Sequence, residues 1–395
     1  MLKYCSNTKT ALFYKTVDEI PETVWQSLNC EENLYLHRDF LKAIEKNHKN
    51  STMKYIILVD EHQNAKAFAS IQIIDFYLNT IKNDFQLFVK KVKSIANKLH
   101  ILPSEKPLKL LICGNTFVSG QHGIFIKKEF NKKQIVKEIA KAILHLVQDD
   151  KNLNIDAFLL KDFTNESLFI TNELKDYNYH PFSVEPNMVL NLDESWHTFT
   201  DYLAALKTKF RVKARKALKL SSELKIEEVT KENIAFQIPK MVSLYKKVAS
   251  KAEFNLSNFN LNTYIDLKHN FGENYILKTY SIDDKIVGFL SGLITNNRLD
   301  AHFVGIDYSM NKQYAIYQRM LYNYIEIAIS KNLKTINFGR TASEIKSSVG
   351  AEPQELTMYL RHKKSFTNKI LKLFLQQVQP TPFHQNFPFK KVYNP

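Results

Sequence analysis

The chain lacks the features that mark secreted, membrane-spanning and metal-binding proteins. Its 395 residues include three cysteines, Cys5, Cys30 and Cys113, with no CxxC pair and no histidine at ligand spacing. This scatter argues against a disulfide framework or a zinc site and favours a reducing cytoplasm. No run reaches the roughly 18–20 apolar residues that span a bilayer, and the N-terminal stretch has no apolar signal core. We therefore predict a cytoplasmic protein without a metal site.

Glycine and proline are also scarce, at 9 and 11 residues, while 44% of the chain is hydrophobic. This composition argues against disorder and allows a large core, and the length predicts two domains. The sequence contains neither GxGxxG nor a Walker pattern, which disfavours dinucleotide folds and phosphate loops.

Positively charged residues outnumber negatively charged ones, at 55 against 40. The net charge is +15, which predicts attraction to an anionic partner such as nucleic acid, a phosphorylated cofactor or lipid headgroups. Composition does not choose among these partners. Heavy use of Lys, Asn and Ile is equally explained by an AT-rich genome.

An internal repeat gives the domain organisation. Residues 55–74 and 275–294 each read as an apolar strand, a polar turn and a second apolar strand. Each hairpin is followed by a strand, a helix and a further strand, which predicts two similar α/β domains. These later elements are predicted at 108–120, 131–148 and 156–163, and again at 298–307, 313–330 and 334–339. We expect an N-terminal domain at 1–183, a C-terminal domain at 184–362 and a basic helix with an aromatic tail at 363–395.

Three segments fall outside that repeat. Residues 82–101, within an insertion at about 76–105, and residues 363–379 have apolar helical faces flanked by lysines, and the latter leads into a phenylalanine-rich tail. Both are typical of helices that lie on an anionic bilayer, although each is equally compatible with packing on its own domain. Residues 207–219 form a basic helix without an acidic residue. This helix is expected to grip tRNA, a phospholipid surface or an acidic substrate, or else to be a solvated face.

The stretch 302–321 predicts a phosphate-binding element. A strand ends in a polar loop that opens into a long helix, and the free N–H groups of a helix start suit a pyrophosphate. Asn311, Lys312 and Gln313 are the expected contacts in that loop. The alternative is an ordinary strand–loop–helix connection.

The order of hairpin, strand, helix and strand resembles the GNAT acyltransferase fold, and its duplication resembles the Fem-type peptidyltransferases and their acyl-CoA-dependent relatives. Residues 202–217 are similar to the "YL..L..K.R...RKA" helix of that group, and 344–353 to its "K..[FWV]G" signature. The resemblance implies an α/β (α+β) class with two tandem GNAT-like domains, each a mixed twisted sheet flanked by helices. The usual Q/R-x-x-G-x-G/A loop is replaced by NKQYAIY (311–317). The donor therefore stays open among acyl-CoA, acyl carrier protein and aminoacyl-tRNA.

The resemblance also implies a notch between the fourth and fifth strands of the C-terminal half, where the donor lies. Aminolysis of a thioester needs an oxyanion donor, a base for the amine and a proton for the thiolate. We assign the oxyanion contact to backbone N–H groups at Phe303, Val304 and Gly305, with Asn337 and Gly339 on the facing strand. His302 and Glu344 are the candidate proton acceptors, and Tyr314 or Tyr317 the candidate proton donor.

Four cations are candidates for binding the substrate. Arg340 and Lys346 are expected to hold an anionic headgroup or a donor phosphate, and Arg211 and Arg215 lie on the basic helix. The alternative for the 341–348 turn is a surface turn capped by Thr341 or Ser343.

The favoured function is an N-acyltransferase that moves an acyl group from a thioester, with coenzyme A as carrier, to a primary amine. The acceptor is expected to be a lipid amine or a long-chain amino base, met at the inner face of the membrane. One alternative is a Fem-like aminoacyl-tRNA-dependent ligase acting on a cell-wall precursor. Another is a non-catalytic membrane-binding module.

Overall fold

A computed structural model of the chain describes residues 2–3, 11–77, 107–251 and 256–390. The predicted helix at 82–101 and most of the insertion at 76–105 lie outside the described residues, as does Cys5. The chain forms two compact units. Unit 1 comprises Met1–Glu185, Glu253–Phe259 and Glu355–Pro380, and unit 2 comprises Pro186–Ala252, Asn260–Gln354 and Thr381–Pro395.

The described ranges contain fourteen strands and twelve α-helices. The strands are β1 Leu2–Lys3, β2 Ala11–Tyr14, β3 Thr52–Val59, β4 Ala65–Phe76, β5 Leu108–Cys113, β6 Ile124–Ile126, β7 Ala157–Thr164, β8 His180–Asn191, β9 Lys225–Glu228, β10 Tyr275–Ile282, β11 Lys285–Thr295, β12 Arg298–Ile306, β13 Thr335–Asn337 and β14 Glu352–His362. The helices are α1 Glu22–Leu28, α2 Arg38–Asn47, α3 Lys132–Asp149, α4 Leu168–Thr171, α5 Phe199–Ala205, α6 Thr208–Leu220, α7 Ile234–Ala249, α8 Thr263–Phe271, α9 Tyr308–Tyr314, α10 Ile316–Ser330, α11 Ser343–Ser347 and α12 Ser365–Leu375.

Unit 1 is built on a mixed sheet with the strand order β1-β2-β3-β4-β5-β7-β14, and β6 also pairs with β4. The hairpin predicted at 55–74 is β3 and β4, both almost entirely buried. Strands β5 and β7 are parallel, as the intervening helix α3 requires. Helix α3 packs against β3 with a buried apolar face spaced by three and four residues.

Unit 2 repeats this plan with the strand order β8-β13-β12-β11-β10-β9. The second predicted hairpin is β10 and β11, and β12 and β13 form the parallel pair. Helix α7 packs on β11 and β12, and α10 packs on β12 and β13. Two units, each a mixed sheet flanked by helices, confirm the predicted fold class.

Most of the strand β14 belongs to unit 1, although it follows the larger part of unit 2 in sequence. It pairs antiparallel with β7, from Leu356 opposite Thr164 to His362 opposite Ala157. A buried strand such as β7 cannot leave one edge of its backbone groups unpaired, and β14 fills that edge. The repeat in the sequence gives no sign of this arrangement, since it places 355–362 with the second half.

One predicted element is wrong in detail. The helix expected over 313–330 is two helices, α9 and α10, separated by Ala315 at φ 47°. The loop expected before the helix start is therefore helical itself. Asp307 caps α9, where its Oδ1 accepts from the Ser309 N–H at 3.2 Å. The side chain of Asn311 accepts from the Tyr317 N–H at 2.9 Å, which replaces a continuous helical bond at the break.

Part of the aromatic tail packs on unit 2. Phe389 packs among Trp196 and Tyr202 of unit 2, with ring centroids 5.2 and 6.0 Å away. The Pro388 carbonyl accepts from the Lys207 N–H at 2.7 Å, so the tail is tied to the start of α6. Of the three phenylalanines in the described part of the tail, Phe383 and Phe389 are half-buried and Phe387 is 66% exposed.

Candidate active site

The parallel strands of unit 2 part where the sequence predicted a notch. Strand β13 pairs with β12 only from Thr335 opposite Arg298 to Asn337 opposite Asp300. The next N–H, of Phe338, donates to the Met188 carbonyl at 2.8 Å on the far side. Strand β12 continues beside β11 to Ile306. Two neighbouring strands therefore diverge after three paired residues.

A β-bulge lies on β12 beside that divergence. Leu290 pairs with Val304 and Gly292 with Ala301, so Ser291 faces two residues, His302 and Phe303. Bulges re-aim side chains and are frequent next to active sites.

Three side chains hold the bulge. The Ser291 hydroxyl donates to the Phe303 carbonyl at 2.7 Å and lies 2.9 Å from the Tyr264 hydroxyl. The Tyr324 hydroxyl donates to the Ser291 carbonyl at 2.7 Å. All four residues are buried or half-buried, and direct hydrogen bonds between them fix the geometry of the bulge.

Gly305 follows the bulge and is required by packing. A Cβ at this position would lie 2.2 Å from the Phe289 ring and 2.8 Å from Leu244. The predicted backbone contact at Phe303–Gly305 therefore lies on a segment of β12 that tolerates no side chain at its last residue.

His302 is half-buried on this bulge, with its ring centroid 6.1 Å from that of Tyr275. Exclusion of water lowers the pKa of His302 to about 3. The carboxylate of Asp300, which shares its strand face, pairs with Arg298 at 2.9 Å from Nε to Oδ1. His302 is thus a neutral imidazole at physiological pH, able to accept a hydrogen bond but a weak base.

The turn that carries Glu344 and Lys346 is the short helix α11. Its N-cap is Ala342 at φ 49°, without a side-chain cap, so the alternative of a turn capped by Thr341 or Ser343 is wrong. Glu344 is exposed at the second position of this helix.

Lys346 and Arg340 are drawn into the protein. The Lys346 ammonium donates to the carbonyls of Arg340 at 2.6 Å and Gly339 at 3.1 Å. Burial lowers the pKa of Lys346 to about 7 and that of Arg340 to about 10. The Lys346 ammonium therefore holds the turn after β13 instead of pointing into solvent.

The remaining predicted residues surround the helix break and the end of β13. Tyr314 is buried at the end of α9, and Tyr317 is half-buried on α10, where burial raises the pKa of its hydroxyl above the usual range. Lys312 and Gln313 are exposed on α9. The Asn337 side chain accepts from the Gly339 N–H at 2.9 Å and so shapes the turn out of β13.

The basic helix forms as predicted, as α6. Ala214 and Ala217 are buried, while Arg215 is exposed and Arg211 half-buried. Arg211 donates to the Leu206 carbonyl at 3.5 Å. Within the ranges that the structure covers, the exposed cations of α6 form no ion pair. They are Lys209, Lys213, Arg215, Lys216 and Lys219.

The predicted site residues on β12 and those in the turn after β13 therefore lie on neighbouring segments of unit 2. A Cβ at Gly339 would lie 3.9 Å from the Ala301 carbonyl, so the turn held by Lys346 runs beside the approach to the bulge. The structure records no contact between the side chain of Glu344 or Lys312 and these residues.

Sequence reasoning missed the residues that hold the bulge. A usable signal was present, because both hairpins carry a phenylalanine two residues before a buried serine. These are Phe68 and Ser70 in unit 1, and Phe289 and Ser291 in unit 2.

Two cavities of about 300 Å³ each have none of the bulge residues Ser291, His302 and Phe303 in their linings. One, in unit 2, is lined by side chains of α7 and the β10–β11 turn, and the other, in unit 1, by residues of β5, β6, β7 and α3. Neither is lined by the candidate proton-transfer residues. Among the described residues there is no cluster of three histidine, cysteine or acidic side chains suited to a metal ion. The same residues contain no helix long and apolar enough to cross a membrane.

Comparison with known proteins agrees with this geometry. No family model and no curated protein matches the sequence. The crystal structure of FemX superposes with a TM-score of 0.53 at 11% identity, over 92% of this chain and 99% of that one. The tandem GNAT protein from the clavulanic acid biosynthesis pathway gives 0.51 at 7% identity, over 89% and 98%. The chain therefore has the tandem GNAT fold, as the resemblance predicted.

Proposed function

We propose that the protein is an N-acyltransferase that moves an acyl group from a thioester to a primary amine in unit 2. The observation that carries this proposal is the bulge at His302 and Phe303, fixed by Ser291 where β12 and β13 part. Such a point exposes backbone groups of one strand that no neighbouring strand satisfies, and an extended amide-bearing donor arm would complete the ladder.

The chemistry follows from the groups at the bulge. Backbone N–H groups between Phe303 and Gly305 would stabilise the oxyanion as the amine nitrogen attacks the thioester carbon. The C–N bond forms, the C–S bond breaks and the amine loses one proton. Because the pKa of His302 is about 3, its neutral ring accepts a hydrogen bond from the amine or a water rather than a full positive charge. Tyr317 or Tyr314 would give its proton to the thiolate and regain the proton that the amine loses, relayed through a water molecule.

Coenzyme A is the proposed carrier, with an acyl carrier protein as a second possible source of the same pantetheine arm. The tandem GNAT neighbour is described in a state without AcCoA, which makes coenzyme A thioesters the first donors to test. Asn311, Lys312 and Gln313 would lie near the donor phosphates. Arg340 would stabilise an anionic acceptor or donor, since its guanidinium stays charged at neutral pH even with the pKa lowered to about 10.

A lipid amine or long-chain amino base is the proposed acceptor, met at the inner face of the membrane. The exposed cations of α6 favour one competing function, transfer from aminoacyl-tRNA, because clustered cations without acidic partners attract a polyanion.

Thermal unfolding with coenzyme A, a long-chain acyl-CoA and deacylated tRNA separates these functions. A ligand stabilises the folded chain by about 2.7 kcal/mol at one hundred times its Kd. We expect both coenzyme A ligands to raise Tm and tRNA to leave it unchanged. Protection by tRNA alone would replace the proposal with the aminoacyl-tRNA function, and protection by none would favour a non-catalytic module.

A further inference from the structure

Helix α12 of unit 1 presents two large apolar side chains to solvent and a polar one to the protein. Phe366 and Leu373 are each 63% exposed, whereas Asn368 is buried. The Asn368 amide donates to the Asn178 carbonyl at 2.8 Å and accepts from the His362 N–H at 2.8 Å. A helix that only packs on its domain shows the opposite distribution.

The exposed apolar side chains form one stripe. Phe366 and Leu373 are seven residues apart, so they share a helix face, and half-buried Ile370 lies between them. Leu375 and Asn368 fix the opposite face to unit 1. The stripe therefore cannot turn inward without breaking the bonds that Asn368 makes.

Cations flank the stripe without acidic neighbours. Lys364, Lys369 and Lys372 are exposed, and over the described residues none of them forms an ion pair. Lys363 beside them pairs with Asp156 at 2.8 Å. No acidic residue occurs from Ser365 to Leu375. Apolar side chains at the centre with lysines at the rim match the boundary between acyl chains and anionic headgroups.

We propose that α12 is the membrane-binding element of this protein, with Phe366 and Leu373 inserted among the acyl chains of an anionic phospholipid bilayer and Lys364, Lys369 and Lys372 on its headgroups. The inference names the surface at which the acceptor of the proposed reaction is met, and in that respect it rests on the proposed function. Binding itself requires neither substrate of that reaction.

Co-sedimentation of the full chain with vesicles tests the proposal. Vesicles of phosphatidylglycerol and phosphatidylcholine should bind the protein, and pure phosphatidylcholine vesicles should bind it weakly. The variant F366S/L373S should bind at least about tenfold more weakly, because two large side chains lose their burial. K369E/K372E should lose binding and its dependence on salt.

Two matched variants give the contrast. F236S removes a 69% exposed phenylalanine that also lies under a lysine, Lys240, on α7, and it should leave binding unchanged. V212S/L220S removes the two exposed apolar side chains of the basic helix α6. Loss of binding in V212S/L220S with retention in F366S/L373S would overturn the proposal, as would equal binding to both kinds of vesicle.

A fluorescent probe distinguishes insertion from adsorption. Both tryptophans of the chain, Trp25 and Trp196, are buried, so F366W adds an exposed reporter. Its emission should shift to the blue and be quenched by brominated acyl chains on anionic vesicles. An unshifted F366W signal on bound protein would overturn insertion. Vesicle binding without coenzyme A protection would leave α12 as proposed and reject the acyltransferase, and the reverse result would reject only α12.

Discussion

The two units treat the same position of the same hairpin differently. In unit 2, β12 inserts one extra residue opposite Ser291. In unit 1, the equivalent strand leaves the ladder altogether: the Ser70 carbonyl accepts from the Gly114 N–H at 3.0 Å, and the Ser70 N–H donates to Gly123 at 2.9 Å. Residues 115–122 lie outside the ladder between those two bonds. One strand break thus became a bulge and the other a loop.

The side chain of Lys161 holds the loop 115–122 of unit 1 through hydrogen bonds. The Lys161 ammonium donates to the carbonyls of Asn115 at 2.7 Å and Val118 at 2.8 Å, and lies 2.6 Å from the Asp162 carboxylate. Phe125 pairs with Phe68 where Gly305 pairs with Phe289. The hairpin of unit 2 supports the bulge of the proposed site, whereas the hairpin of unit 1 supports a loop. This difference is the reason that we propose unit 2 as the place of the reaction.

Among the variants that test this comparison, K161M should lower the free energy of unfolding most. Asp162 is fully buried, and K161M removes the ammonium group that pairs with its carboxylate, which costs about 3–5 kcal/mol. Urea unfolding should show this loss, while coenzyme A protection of the surviving folded protein persists. K161M/D162N should recover part of the stability. Loss of protection at unchanged stability would place the donor in unit 1 and reverse the comparison.

G305A should distort the backbone of β12 next to the bulge, which is the feature that distinguishes unit 2 from unit 1. The added methyl group meets the Phe289 ring, and overpacking of this kind costs about 2–3 kcal/mol. Acyl transfer and coenzyme A protection should both fall, as measured by product formation and thermal shift. F125L in unit 1 is the matched change and should leave transfer intact. Full activity in G305A would contradict the assignment of this backbone segment.

S291A tests whether the bulge must be held. It removes the bond to the Phe303 carbonyl and the partner of Tyr264, with an expected loss of about 1–2 kcal/mol. We expect kcat to fall more than KM rises, because the substrate still binds to a misaligned strand. S70A is the control, since Ser70 acts through its backbone. Equal kinetics of the two variants would remove the bulge from the mechanism.

The smallest effect concerns pH. The pKa of Lys346 is about 7 in the folded protein and 10.5 in an unfolded chain, so between these values the unfolded chain holds a proton that the folded one has released. The stability of the protein should therefore rise with pH across that window, by about 1 kcal/mol from pH 7 to 8, relative to K346M. Urea midpoints of both proteins at pH 6, 7, 8 and 9 measure this. If the stability of the two proteins changes with pH in the same way, burial does not lower the pKa of Lys346.

Local pattern was sufficient for the hairpins, the helix α3 and the order of elements, because burial of one face imposes a period that a single strand or helix carries by itself. It was insufficient where one side-chain hydrogen bond or a residue distant in sequence decides the structure. The break at Ala315 depends on Asn311 and Tyr317, and the bulge depends on which residue of β11 faces β12. The placing of β14 depends on the open edge of β7. The spacing of a phenylalanine and a serine shared by both hairpins marks Ser291 in the sequence, but it does not show that Ser291 faces an extra residue of β12.

The order in which the chain leaves the ribosome has a consequence for both units. Strand β7 waits for β14, about two hundred residues later, and Gly350 at φ 103° leaves the space that Phe389 fills only when the tail arrives. In a nascent chain that ends at residue 340, β7 has no partner β14 and the core of unit 2 lacks Phe389. Such an intermediate offers an open strand edge to other chains.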